Sequence, residues 1–288
     1  MAIKLTTYGS KKAPQSLGLG VFDGIHKGHQ AILSQCDALL TFNPHPVTII
    51  HNTIPLDRLT TIKEMTQYIP QLFVLEFNKM IANLSAQDFL NKIILEKINP
   101  SRIVIGYDYH FGKNKTGTPD IFKQWCNSHN IPITIVEPIS NTDQIIKSKA
   151  IRTELKQGDV NQALDDLGHP YLMIGTVIKG DSRGKELGFP TANLKFPPEK
   201  LIPKKGVYKG TITIEDKPYK TMIYIGNRPT FNTKTTTVEA FILDFKGNLY
   251  DQTISLYIEH YLRAEKIFPN KEALINQIHQ DIQNAYGP

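Results

Sequence analysis

Between Gly180 and Asn193 the chain reads Gly-Asp-Ser-Arg-Gly-Lys-Glu-Leu-Gly-Phe-Pro-Thr-Ala-Asn. Glycines at 180, 184 and 188 let backbone N–H groups close around an anion, and Arg183 and Lys185 add positive charge. Thr191 and Asn193 offer neutral oxygens two residues apart that suit a hydrated Mg²⁺. Together these residues read as a phosphate-binding loop. No Gly-Lys-Ser/Thr follows a four-residue spacer, so this is not a Walker A loop, and the competing reading is an exposed Gly/Lys turn. A second group is His26, Gly28 and His29, where a Gly-rich turn enters a helix. Two imidazoles at a helix N-terminus can hydrogen-bond phosphates and steady the charge that builds as an alkyl-phosphate attacks an α-phosphorus. Solvent-facing turn histidines and metal ligation remain the alternatives. A third candidate is Glu239, a lone charge in the apolar run Val238 to Leu243. It is either a base or orienting carboxylate, or a residue on a solvated strand face.

The elements that must position these residues follow from periodicity. Leu17 to Phe22 reads as a strand, 23–29 as a turn and Gln30 to Leu39 as a helix. Leu39 to Phe42 reads as a second strand, closed by the two prolines of Asn43-Pro44-His45-Pro46. Helices are expected over Thr61 to Tyr68, over Ala86 to Ile98 behind an N-cap at Ser85, and from Pro119 through Trp125. Strands are expected over Gln71 to Phe77, Ser101 to Ile105 and Ile133 to Val136. This alternation implies a parallel sheet covered by helices. Four polar segments, 20–29, 42–46, 106–112 and 143–152, then follow the carboxyl ends of strands, where open α/β sheets bind ligands.

After Ile151 to Leu167, two short helices broken at Gly158, the pattern changes. Period-two runs rich in Val, Ile, Thr and Tyr cover Tyr171 to Lys179, Val207 to Ile214, Lys217 to Ile225, Thr236 to Leu243 and Gln252 to Ile258. They read as a small β-barrel, closed by an amphipathic helix from Glu272 to Asn284 with Leu274, Ile275, Ile278 and Ile282 on one face. The expected architecture is therefore α/β plus all-β, in two domains, 1–167 and 168–288.

A length of 288 residues with 40% apolar content supports two cores, and 21% charged residues argues against disorder. The net charge of +6 fits polyanionic partners or anionic small substrates alike. The lysines are scattered, with no basic stripe interleaved with aromatics, which disfavours a nucleic-acid partner. Two cysteines, Cys36 and Cys126, show no metal-binding spacing and suit a reducing compartment. No apolar run reaches the roughly 18 residues of a membrane span and no signal peptide opens the chain, so a cytoplasmic location without membrane contact is expected.

The motifs resemble those of the prokaryotic bifunctional riboflavin kinase/FMN adenylyltransferase (FAD synthetase) family. Gly180 to Asn193 resembles its flavin-kinase loop, which ends in Gly-Phe-Pro-Thr-Ala-Asn. Gly20-Val21-Phe22-Asp23-Gly24-Ile25-His26-Lys27-Gly28-His29 is similar to its Gly-x-Phe-Asp-Gly-x-His-x-Gly-His, Thr41 to Pro46 to its Thr-Phe-x-Pro-His-Pro, and Gly106 to Gly112 to its Gly-x-Asp-Phe-x-Phe-Gly, with Tyr109 for the first Phe. Thr237 to Phe245 resembles its Glu-x-x-x-Leu-Asp-Phe, and Gly206-Val207-Tyr208, Asn227 to Thr230 and Leu262 to Phe268 also match.

The resemblance implies a Rossmann-like nucleotidyltransferase domain that turns FMN and ATP into FAD and pyrophosphate, then a barrel that turns riboflavin and ATP into FMN and ADP. Glu239 would be the kinase base, Thr191 and Asn193 the Mg²⁺ residues, Gly180, Arg183, Gly184, Lys185 and Gly188 the ATP loop, and Tyr208 and Arg263 the flavin contacts. His26 and His29 would sit on ATP phosphates. The adenylylation site would add Gly20, Phe22, Asp23, Gly28, Asn43, His45, Gly106, Asp108, Phe111, Lys147, Ser148, Lys149 and Arg152. Partners would be the small molecules ATP, riboflavin and FMN, with oligomeric state open. Two departures stand out. The stretch from Gln30 to Thr41 is shorter than usual, and the family's Arg-Ile-Ser-Ser-Thr-x-Ile-Arg is here Ile145-Ile146-Lys147-Ser148-Lys149-Ala150-Ile151-Arg152. Lysines are mobile point charges without arginine's bidentate grip. Two alternatives therefore stay open: a kinase with a degenerate adenylyltransferase domain, and an RNA-binding protein on a nucleotidyltransferase scaffold.

Overall fold

In a computed structural model that describes residues 3–52, 56–141, 144–180, 184, 187–227 and 236–287, the chain divides into two compact units, 1–148 and 149–288. The first unit is built on six strands: β1 (Leu5–Gly9), β2 (Leu17–Leu19), β3 (Ala38–Asn43), β4 (Gln71–Glu76), β5 (Ile103–Gly106) and β6 (Ile133–Val136). Their order is β1-β4-β3-β2-β5-β6; β1 runs antiparallel to β4 and every other pair is parallel. Strand polarity decides which face each side chain serves. Ala38, Leu40 and Phe42 face a core completed by Phe89, Phe122 and Trp125, whereas Leu39, with Leu72, Val74 and Val104, faces the core of Ile25, Ile32 and Met65. With both faces buried, these strands lack the apolar/polar alternation of a half-solvated sheet.

Helices α1 (Lys27–Leu33), α2 (Pro46–His51), α3 (Ile62–Met65), α4 (Lys79–Ala82), α5 (Ala86–Phe89) and α6 (Pro119–Ser128) connect the strands. The expected helix from Gln30 to Leu39 is corrected: α1 starts at Lys27 and stops at Leu33, because Ala38 to Leu40 are drawn into the buried sheet. The expected helix from Ala86 to Ile98 is present, but from Leu90 it winds as a π-helix and ends on left-handed Asn99. Strand β1 and helix α2, which Pro46 opens from its first turn, had no clear periodic signal. A short hairpin, β7 (Ser140–Asn141) and β8 (Gln144–Ile145), ends the unit.

The second unit opens with α7 (Ser148–Gln157) and α8 (Val160–Leu167). Both were expected before the boundary at 167/168. They cluster with the second unit because Lys204 N–H and Nζ donate to Leu155 and Gln157 carbonyls, and Tyr261 N–H donates to Asn161 Oδ1. Six antiparallel strands follow: β9 (Tyr171–Ile178), β10 (Thr191–Lys195), β11 (Gly206–Ile214), β12 (Lys217–Asn227), β13 (Thr236–Ile242) and β14 (Thr253–Arg263). They close into a barrel in the order β10-β13-β12-β11-β14-β9, filled by Ile212, Ile223, Ile225, Ala240, Leu256 and Ile258. The final helix, α9 (Lys271–Tyr286), lays Ile282, Ala285 and Tyr286 against Val207, Met222 and Phe241 outside the barrel. Its Tyr286 hydroxyl donates to the Gly210 carbonyl and accepts from Thr221 N–H, pinning the helix across β11 and β12.

Candidate functional site

In the first unit the strand order reverses between β2 and β5, the switch point at which open α/β sheets hold ligands. The turn after β2 carries two buried non-glycine residues with positive φ, Phe22 (53°) and Ile25 (49°), held there by core packing. Gly20 makes room for this turn, since a Cβ there would lie 3.0 Å from the Phe22 ring. The ring meets His29 edge-on at 5.4 Å, and His29 stacks on His26 with centroids 3.6 Å apart and planes 20° apart. His26 Nδ1 accepts the His29 backbone N–H at 3.4 Å, which leaves Nε2 as its donor when neutral. His29 Nδ1 is buried without a partner among the described residues. Burial first, and then His26, hold the His29 pKa well below the ordinary imidazole value. At neutral pH His29 is uncharged.

A cavity of about 280 Å³ opens beside this pair. His26, Gly28, His29, Gly106, Asp108, Lys147 and Ser148 line it, so the 20–29, 106–112 and 143–152 segments converge as expected. Glu137, Pro138 and Ile139, just past β6, also line it, and the sequence reading missed them. Other expected residues act from behind. Asp23 Oδ1 accepts Thr60 N–H at 3.0 Å, Gly24 N–H donates to Thr60 Oγ1, and Ser148 Oγ donates to the Asp23 carbonyl at 2.7 Å, so Asp23 secures the turn. Asn43 and His45 do not line the cavity: Arg58 donates to Asn43 Oδ1 and the Phe42 carbonyl, and His45 Nδ1 caps α2 through Val47 N–H. Phe111 lies in the core against Phe89 and Phe122. Lys149 and Arg152 belong to α7, in the second unit.

In the second unit the barrel register makes the site. Asn193 on β10 stands opposite Glu239 on β13, which stands opposite Tyr224 on β12. Val238, Ala240 and Ile242 point inward, so Glu239 lies on the outer face with Thr191 and Asn193. Thr191 Oγ1 donates to Glu239 Oε2 at 3.0 Å. A Cβ at Gly180 would fall 2.1 Å from Asn193 Nδ2, so only glycine lets that amide sit where it does. Gly184 accepts Phe189 N–H, and Gly188 adopts φ +87°. Phe189 packs against Phe241 and His279, fixing the loop's exit. Arg183 and Lys185 lie outside the described residues, as do Arg228, Pro229 and Thr230. Residues 191–195, read as the end of a loop, are a strand, and that places the two oxygens on one face with Glu239.

The starts of β11 and β13 and the ends of β12 and β14 share one rim of the barrel. There a cavity of about 530 Å³, lined by Lys156, Pro203, Lys205, Thr236, Ala264 and Glu265, escaped the sequence reading because its walls come from distant segments. The two expected flavin contacts do not face it. Tyr208 is fully buried inside the barrel, with its hydroxyl donating to the Lys204 carbonyl and burial raising its pKa. Arg263 is bound to α9: its Nε lies 2.9 and 3.0 Å from the two Asp281 oxygens, and its Nη2 2.6 Å from Oδ2. Glutamate, threonine and asparagine oxygens on one face form a hard donor set of the kind Mg²⁺ takes.

A switch-point imidazole pair followed by a barrel with a Gly-rich loop and an oxygen-donor row defines a two-domain phosphate-handling transferase. The sequence model of the FAD synthetase family matches residues 9–150, and that of the riboflavin kinase family matches 167–287. A bifunctional riboflavin kinase/FMN adenylyltransferase of Bacillus subtilis (strain 168) is 33% identical over 300 residues, covering 96% of this chain and 92% of the relative. One from Listeria monocytogenes is 31% identical over 286 residues, covering 93% and 90%. The fold is similar to a Streptococcus pneumoniae structure described as a macrolide-efflux protein, with a TM-score of 0.83, 28% identity and coverage of 96% and 95%. Among the described residues, no helix is long and apolar enough to cross a membrane. The chain belongs to the bifunctional riboflavin kinase/FMN adenylyltransferase family.

Proposed function

We propose that this chain phosphorylates riboflavin to FMN with ATP and adenylylates FMN to FAD with release of pyrophosphate. The observation that carries the kinase half is the Thr191–Glu239 hydrogen bond with Asn193 directly across the ladder, which joins residues 48 positions apart into one constellation. With one carboxylate oxygen held by Thr191, the other is free to accept the proton of the ribityl 5′-hydroxyl as its oxygen attacks the γ-phosphorus and the bond to ADP breaks. Thr191 and Asn193 would hold Mg²⁺, which supplies charge neutralisation on the phosphates. Gly180, Gly184 and Gly188 bring backbone close to the nucleotide. The rim cavity, near Glu239 and walled by apolar Pro203 and Ala264, would receive the isoalloxazine.

In the first unit an FMN phosphate oxygen would attack the α-phosphorus of ATP, and pyrophosphate would leave with no proton to transfer. His26 and His29 would donate from Nε2 to the phosphate oxygens, and Lys147 would add positive charge at the lining. A cytoplasmic location fits these soluble substrates. Incubation with riboflavin, ATP and Mg²⁺, followed by chromatography of the flavins, should give FMN and then FAD. Unchanged riboflavin would reject the proposal.

A further inference from the structure

Beside Glu239, the outer face of the barrel carries a side chain that the kinase chemistry does not use. Tyr224 is the cross-strand neighbour of Glu239, and 37% of it is exposed. Directly opposed residues in an antiparallel pair are the closest side-chain neighbours a sheet offers. The Tyr224 ring does not stand up from the sheet; it lies along β12 over Gly226, where a Cβ would fall 2.2 Å from the ring. Its hydroxyl donates to Glu265 Oε1 at 2.5 Å. That same oxygen would be 2.5 Å from a Cβ on Gly226, so the bare glycine admits both partners at once. Burial, and then the hydrogen bond to Glu265, raise the phenol's pKa, so it remains the donor throughout the ordinary pH range. Glu265 is the second residue of the 264–270 segment between β14 and α9 and also lines the rim cavity. The root of this segment is fixed separately, by Arg263 on Asp281.

We propose that Tyr224 and Glu265 form a positioning pair that fastens the 264–270 segment beside Glu239 and so sets the affinity of the kinase site for its flavin. The inference rests on the kinase reading of Glu239. Pre-ordering a wall of the pocket removes an entropic cost that the ligand would otherwise meet on binding. Tyr224 takes no proton and touches no reacting atom, so its loss acts on binding and leaves the chemical step alone.

Tyr224→Phe keeps the ring and removes only the donor. Because the pair is solvent-exposed, the expected rise in the riboflavin KM, and in its Kd read by flavin fluorescence quenching, is about three- to tenfold, with kcat, the ATP KM and FMN adenylylation unchanged. Glu265→Ala should match it, Glu265→Gln should retain most of the wild-type affinity because its carbonyl oxygen still accepts, and Gly226→Ala should act like Tyr224→Phe by displacing the ring. Adding Tyr224→Phe to Glu265→Ala should cost nothing more. Additive losses in the double variant, or an unaltered riboflavin Kd in Tyr224→Phe, would overturn the pair. A wild-type protein that neither binds nor phosphorylates riboflavin would instead reject the kinase reading itself.

Discussion

Tyr109 offers a sharp test of the packing around the first site. Its ring lies 5.6 Å from Phe111 and 6.3 Å from Phe122, yet its hydroxyl is buried with no hydrogen-bond partner among the described residues. Burial raises its pKa, so it is an unionised donor with nowhere to donate. A buried, unpaired polar group costs about 1–3 kcal/mol relative to its hydrated state in the unfolded chain. Tyr109→Phe removes that cost, preserves the ring contacts and sacrifices only the dispersion of one oxygen, so the expected gain is about 1 kcal/mol. For a unit of this size that is a melting increase of about 2–4 °C. Trp125 is the chain's single tryptophan and meets Phe122 of the same aromatic group edge-on at 6.1 Å, so its fluorescence in a urea titration reports the right unit. The midpoint should rise with no change in slope. An unchanged or lowered midpoint would refute an unpaired hydroxyl and mean that it is satisfied by an ordered water or by a movement of the 106–112 loop.

Glu239→Gln should keep riboflavin binding and lower phosphorylation by about 10²-fold or more, measured as FMN formed per minute, since only the carboxylate charge is lost. Arg263→Ala should destabilise the second unit by about 2–4 kcal/mol in a melting assay, because Asp281, at 7% side-chain exposure, would keep only Gln277 as a partner among the described residues; a stable variant with a raised riboflavin KM would instead restore Arg263 as a flavin contact. Lys147→Ala with Lys149→Ala should slow FAD formation and reduce the salt dependence of that step while leaving FMN formation intact, read as a time course from riboflavin; no FAD from the wild type at high ATP and Mg²⁺ would decide for the kinase alone. Folded His29 has a depressed pKa, so between that value and the unfolded value near 6.5 the unfolded chain binds more protons, and stability rises with pH across that window. Acidification from about pH 7 to pH 5 should therefore destabilise the first unit, and His29→Gln should flatten that slope.

The candidate site residues stood out in the sequence because their types and spacing are unusual, whereas the residues that hold them in place did not. Arg58 is 3% exposed and anchors the end of β3, but in the sequence it is one arginine in a polar connection. Thr60 takes Asp23 and Gly24 together from 37 and 36 residues away, a pairing no local pattern announces. Strand β10 was hidden because Ala192 and Asn193 have low strand preference and are held by the neighbouring β9 and β13. Tyr208 and Arg263 were placed at the flavin by resemblance alone. Alternation along β11 turns Tyr208 inward, and the carboxylate that claims Arg263 lies 18 residues further on, on another element.

The lining of the first cavity also explains why charge alone could not identify its ligand. Although the chain carries +6, the described lining holds one ammonium, Lys147, against the carboxyl groups of Asp108 and Glu137, and His29 is uncharged. Ile145, where the family carries arginine, lines the same cavity with an apolar side chain. A naked triphosphate would find little net attraction there, so under the proposed function its recognition would rest on directional donors, the imidazole N–H groups and backbone amides around Gly28, and on a divalent cation arriving with the nucleotide. Under the proposed function the scattered lysines would set solubility and encounter with anions, while the two stacked imidazoles, fixed by Gly20, Phe22 and Thr60 through the turn, would set which phosphate oxygen is held. A site of this kind loses more from a small displacement of its donors than from a distant charge change, because hydrogen bonds fall off with angle and distance far more steeply than screened Coulomb attraction does.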